Sequence, residues 1–280
     1  MSNAKNIRRK RIINAALQRY SEGASTAEER EILIESMKRY RAEADKKGKG
    51  IPYNALILRY FADHPQTFSQ VAARLLCTRR TVFKYLVSGN YFLAPHIFGI
   101  DGIYLVASDD KLEEHEKQRR QFANTKQLLE NYRTLRNYIQ GIDLEAEPAA
   151  GNPVEILEGA DGFTLSDDDL NFEMIKQNQQ RTKIILDYID NAVREYRSSC
   201  ERAGTEDTQR RYRIIKAYFL DKEALPIDQI TEREQVKERT VYRDIKKAIG
   251  KLACRIYTPR QHDQDEKGGE EDDVLSNCRI

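Results

Sequence analysis

Tryptophan is absent from the 280 residues and cysteine is scarce. The four cysteines, Cys77, Cys200, Cys254 and Cys278, stand far apart, and the four histidines do not gather near them. Neither the ligand spacing of a zinc site nor a disulfide framework is present, which fits a reduced intracellular protein. No apolar run approaches ~18 residues, so no membrane-spanning helix is expected. The N-terminal stretch MSNAKNIRRKRII is basic but has no apolar signal core. No nucleophile stands beside a base, no glycine-rich phosphate loop occurs and no metal-binding spacing exists. The sequence therefore predicts a soluble cytoplasmic protein that is not an enzyme and carries no cofactor.

What is present is charge and tyrosine. Charged residues make up 33% of the chain and hydrophobic residues 40%, so a core must come from amphipathic elements rather than buried sheets. Fifteen tyrosines suit half-buried positions, with the ring packed and the hydroxyl wet. Net charge is only +2, but residues 1–100 sum to +10, 101–180 to −9, 181–260 to +6 and 261–280 to −5. Two basic blocks separated by an acidic one point toward a polyanionic partner.

Hydrophobic periodicity predicts an all-α chain. Residues 5–20 place Ile13, Ala16, Leu17 and Tyr20 on one face. Thr26 and Glu29 have capping-box form ahead of a second helix. The run KKGKG ends it, Pro52 suits a first turn, and Ala55 to Phe61 forms a short apolar helix. The stretch NYFLAPHIFGIDGIYLVASDD, cut by Gly and Pro, predicts a packing loop with a short strand or hairpin near 91–108. Residues 110–140 and about 167–199 predict two long helices, with residues 141–165 as an acidic linker. Ser166 and the three aspartates after it predict a helix cap rather than a metal cluster. Helices at about 206–220, 226–233 and 237–254 follow, and composition predicts disorder over 259–280. The domains expected are thus 1–108, a connection over 109–165, 166–258 and an acidic tail.

One phrase occurs twice. Residues 67–86 read TFSQVAARLLCTRRTVFKYL and residues 226–245 read PIDQITEREQVKERTVYRDI. Five of the twenty positions are identical and six more are similar in kind, which marks an internal duplication. A Tyr-Phe pair lies upstream of both, at 60–61 and 218–219, one residue out of register. Apolar residues at 68, 71 and 75 form one face of a two-turn helix. Cys77 fills a turn as a small hydrophobe, and Val82 and Leu86 line the inner face of a second helix. Such a pair is a helix-turn-helix. The second helix would then face outward with Arg79, Arg80, Phe83, Lys84 and Val87 in the first copy. In the second copy the outward residues would be Glu238, Arg239, Tyr242, Arg243 and Lys246. Arg reads guanine edges and Lys or Arg neutralises phosphates.

The segment ITEREQVKERTVYRDIKKAIGKL resembles the promoter-reading fourth region of sigma factors. It also resembles related helix-turn-helix regulators of phage and mobile-element type. The likeness covers 210–258 and, more briefly, 55–87. It implies duplex DNA binding with the second helix of each motif in the major groove, and motif spacing of roughly 34 Å. The residues it assigns to DNA are Thr78, Arg79, Arg80, Thr81, Phe83 and Lys84 in the first copy. In the second copy they are Lys237, Arg239, Thr240, Tyr242, Arg243, Lys246 and Lys247. Two positions depart from the pattern: Glu234 and Gln235 precede the second turn where an apolar and a small residue usually stand. A carboxylate at such a packing position is costly unless it reaches water or a partner.

The function expected is that of a sequence-specific transcriptional regulator binding double-stranded DNA, with RNA polymerase and a second copy of the chain as further candidate partners. A DNA-recognition component of phage packaging, similar to a small terminase, and a polymerase- or protein-binding adaptor are the alternatives. The run RRKR at 8–11 is expected to be a solvated helix face or a phosphate-contacting arm. His64 and His96 are expected to be structural, and the acidic tail could compete with DNA for the basic surfaces.

Overall fold

The computed structural model describes residues 2–45, 48–105, 113–140, 152–158 and 170–257. Among these every regular element is helical, and none is long and apolar enough to cross a membrane. Two compact units form. The first comprises 1–104, 134–151 and 161–183; the second comprises 105–133, 152–160 and 184–280.

In the first unit, α1 (Ser2–Ser21) and α2 (Ala27–Ala44) precede α3 (Gly50–Leu56), which widens into a π turn over Ile57–Phe61. Then come α4 (Phe68–Arg74) and α5 (Arg79–Phe98). The core gathers Ile13, Leu17, Leu33, Met37, Leu56, Val71, Val82 and Leu93, all buried. Thr26 caps α2 by accepting from the Glu29 amide at 3.0 Å. The Glu29 carboxylate turns instead to Arg19, at 3.1 Å. In the run 8–11, Arg9 is buried and donates to the Ile103 carbonyl at 3.0 Å, while Lys10 and Arg11 are exposed. Only part of that run is therefore a solvated face.

The expected strand or hairpin near 91–108 is not formed in its described part. There α5 runs on to Phe98 and a 3₁₀ turn covers Gly99–Gly102. Leu93, Ala94, Ile97 and Phe98 are fully buried, so tertiary packing overrides the Gly and Pro signals. The helix end is satisfied by side chains. Ser36 and Arg39 donate to the His96 carbonyl at 3.0 and 2.9 Å, and Tyr138 donates to the Ile97 carbonyl at 3.1 Å. Gly99, at φ +54°, turns the chain where a Cβ would lie 2.2 Å from the Thr182 hydroxyl. His96 is buried and stacked on Tyr40, whereas His64 is exposed, so the structural role expected of both fits His96 alone.

The region 110–140 forms α6 (Glu114–Glu130) and α7 (Tyr132–Tyr138), interrupted at Asn131. The expected linker holds α8 (Pro153–Glu158), which buries Ile156 and Leu157. The long α9 (Phe172–Ala203) begins after Asn171, whose side chain accepts from the Met174 amide at 2.8 Å. The expected cap at Ser166 and the expected acidic tail lie outside the described residues.

The second unit continues with α10 (Glu206–Ile215), a π turn over Lys216–Leu220, α11 (Ile227–Glu234) and α12 (Glu238–Tyr257). Its core includes Ile214, Ile215, Ile230, Val241, Ile249 and Leu252. Arg133 of α7 donates to the carbonyls of Tyr218 and Asp221, both at 2.7 Å, and so closes the end of the π turn. Cys77 and Cys200 carry free thiols.

Candidate nucleic-acid interface

The duplication reaches well beyond the twenty-residue phrase. Leu56 and Ile215 end their helices 159 positions apart, and the π turns Ile57–Phe61 and Lys216–Leu220 keep that offset. So do the first residues of α4 and α11, and both ends of α5 and α12. Within this register Tyr60 matches Phe219, so the two Tyr-Phe pairs noted upstream are not structural equivalents. π turns are rare in helices and recur at functional sites. Two of the same length at matching positions are a stronger sign of repetition than the identities are.

The turn between the short and long helices also repeats, bond for bond. In the first unit the Cys77 amide donates to the Ala72 carbonyl at 3.0 Å and the Leu76 amide to Ala73 at 3.4 Å. In the second, Val236 donates to Thr231 and Gln235 to Glu232, both at 3.3 Å. These paired bonds form a Schellman helix end, which needs one residue in the left-handed region. Glycine is the usual occupant, yet here it is Leu76 at φ +49° and Gln235 at φ +54°. Each left-handed side chain costs on the order of 1 kcal/mol.

The helices that follow share an inner face. Val82 and Val241 are fully buried, and Leu86 and Ile245 nearly so. This fixes which residues point outward. Arg79, Arg80, Phe83, Lys84 and Val87 are all exposed, as are Glu238, Arg239, Tyr242, Arg243 and Lys246. Lys237 and Lys247 are exposed too. Among the described residues no side-chain hydrogen bond or ion pair engages Arg79, Arg80, Lys84, Lys237, Arg239, Lys246 or Lys247. Arg243 approaches Asp244 only at 4.0 Å.

Two of the sequence-assigned residues have a local job. Thr78 caps α5, its hydroxyl accepting from the Thr81 amide at 3.2 Å and lying 2.9 Å from the Thr81 hydroxyl. At the matching position Lys237 has no accepting side chain, and the half-buried Thr240 donates its amide to the Lys237 carbonyl at 2.7 Å.

The second unit also holds a charge network around its turn. Glu234, whose side chain is 4% exposed, meets Arg213 at 2.8 Å and Arg233 at 3.0 Å, and Arg213 also reaches Glu206 at 2.6 Å. Its counterpart in the first unit is Leu75. The carboxylate expected to be costly is thus paired. Hydrogen bonds to Glu234 and Glu206 hold the Arg213 guanidinium above its ordinary pKa. Deeper in, Asp244 accepts from Arg210 at 3.0 Å, and Arg210 also reaches Asp207 at 2.7 Å. Burial acts to lower the Arg210 pKa, but the hydrogen bonds to Asp244 and Asp207 outweigh it and raise it. No local pattern signals these pairs, because Arg210 and Asp244 are 34 positions apart and Arg213 and Glu234 are 21 apart.

Among the described residues no three His, Cys, Asp or Glu side chains are grouped to hold a metal ion. What the geometry offers is two outward helix faces with unpaired cations, each preceded by a turn of the same hydrogen-bonded form. Comparison with protein-family models, curated proteins and solved structures returns no match for this chain.

Proposed function

We propose that this chain is a transcriptional regulator that binds specific double-stranded DNA through two helix-turn-helix units, with α5 and α12 as the reading helices. One observation carries the proposal. A tri-helical unit is duplicated down to its turn hydrogen bonds, and both copies expose cations at two matching positions of the second helix, Arg80 with Arg239 and Lys84 with Arg243. Free guanidinium groups on a narrow helix suit guanine edges and phosphates in a major groove.

The test is fluorescence anisotropy with duplex DNA drawn from a random pool by repeated selection. Affinity should fall steeply between 50 and 200 mM salt, as ~10³-fold or more if about six phosphates are neutralised. Arg80→Ala and Arg243→Ala should each weaken binding to the selected duplex. Failure to enrich any duplex, or binding indifferent to salt, would overturn the proposal.

A protein-binding role for the second unit has one observation in its favour. Residues 216–246 hold seven basic and seven acidic residues, against five and one over the matching 57–87. If Arg80→Ala abolishes duplex binding while Arg243→Ala leaves it intact and loses polymerase in a pull-down, the two units have different partners.

A further inference from the structure

We propose that the first unit's outward face recognises the 5-methyl groups of thymine, while the matching face of the second unit, with Gln235, Tyr242 and Lys246, presents a polar group at each of these positions. This rests on the DNA-binding proposal above and adds the chemistry being read.

Three of the large hydrophobic side chains exposed in the described structure fall on this one face: Leu76 at 94%, Phe83 at 60% and Val87 at 40%. Phe83 and Val87 are four residues apart on α5, hence on the same side of the helix. Leu76 sits in the turn that leads into it. The second unit places Gln235, Tyr242 and Lys246 at the same three positions.

Leu76 is the informative residue. It occupies a left-handed turn position where glycine would relieve strain, and it extends an apolar side chain almost wholly into water. The left-handed position disfavours the folded state, the exposed side chain gains nothing from folding, and a residue held at an outlying backbone position calls for a function. The setting indicates what that function meets. No acidic residue occurs between Asp63 and Asp101, and the exposed Arg79, Arg80 and Lys84 interleave with the apolar residues. The face is therefore cationic and apolar at once. A major groove matches it: phosphates flank it, and the thymine methyl is the apolar group that a base pair presents there. An apolar protein partner would leave three cations facing it without a counter-charge.

The experiment uses the full chain and a duplex enriched by selection. Each thymine is replaced in turn by deoxyuracil, which removes one methyl group and keeps every hydrogen-bonding group. At two or three positions affinity should drop roughly fourfold per methyl, the scale of one buried carbon. That sensitivity should vanish in Leu76→Gly and Phe83→Ser and persist in Arg243→Ala. Leu76→Gly should meanwhile raise the midpoint of thermal unfolding, which separates lost recognition from lost fold. If uracil substitution changes nothing while Arg80→Ala still weakens binding, the methyl proposal is overturned and the DNA-binding one stands. If no duplex is enriched, the underlying DNA proposal fails instead. If Leu76→Gly and Phe83→Ser bind the duplex as the parent does but lose self-association or polymerase capture, the face docks protein and the inference is wrong.

Discussion

Asp244→Asn tests the charge network that stands behind the outward face of α12. The carboxylate is 1% exposed and accepts two hydrogen-bonding approaches from Arg210 at 3.0 Å, with Arg211 at 3.7 Å. Removing one member of a buried ion pair typically costs ~3–5 kcal/mol, because the other charge stays desolvated. Arg210 would keep Asp207 at 2.7 Å, and its own side chain is 11% exposed. The expected loss is therefore below that range, about 2–3 kcal/mol. With a urea dependence of about 1–3 kcal/mol per molar, the unfolding midpoint of the second unit should drop by about 1 M or more. Far-ultraviolet circular dichroism against urea reads this in a chain without tryptophan. The double variant Arg210→Met with Asp244→Leu should recover most of the loss, since exchanging a whole buried pair for apolar side chains is often neutral. A single-variant loss under about 0.5 kcal/mol, or a double variant as unstable as Asp244→Asn, would refute the claim that desolvation of the unpaired arginine sets the cost.

Other perturbations address other parts of the chain. Gly102→Ala would put a Cβ 2.2 Å from the Ala94 carbonyl oxygen, backbone against backbone. The expected cost is about 1–3 kcal/mol or more, measurable as a fall in the thermal midpoint of the first unit. Lys237→Thr supplies the hydroxyl cap that Thr78 provides in the first unit, and should stabilise α12 by about 1 kcal/mol. The same change removes a cation, so the log–log salt slope of DNA binding should shrink by about one if Lys237 meets a phosphate. Burial raises the hydroxyl pKa of Tyr138, Tyr196 and Tyr257 above the ordinary tyrosine value. Stability should thus be unaffected by these groups below about pH 10 and fall above it, as the unfolded chain ionises while the folded one resists. A thermal midpoint that stays flat from pH 8 to 11, or a decline unchanged in Tyr196→Phe, would count against that assignment.

The helical character of the chain was legible because apolar residues recur at helical spacing, and the duplicated phrase located both turns. Less was legible where backbone bonding or distant residues decide the outcome. The π turns leave no mark in hydrophobic periodicity, since one extra residue per turn shifts only a few side chains. The strand or hairpin expected near 91–108 rested on Pro95, Gly99 and Gly102, which look like breakers. In the fold Gly89, Gly99 and Gly102 serve close approach, as where Gly89 lies against Leu56 and the Pro52 carbonyl. Glu234 looked out of place because its partner Arg213 belongs to the preceding helix. The outward cations of both units could be named from spacing alone. The exposure of Leu76 could not, because only the left-handed turn lifts it clear of the core.

From the end of α3 to the end of α5, and from the end of α10 to the end of α12, neither repeat has gained or lost a residue relative to the other. The two segments are therefore interchangeable in length, and residues 76–87 could be traded for 235–246 with no loop to rebuild. The same tolerance lets one scaffold carry an oily face in one copy and a polar face in the other. Evolution could vary what each copy touches while leaving the frame that presents it untouched.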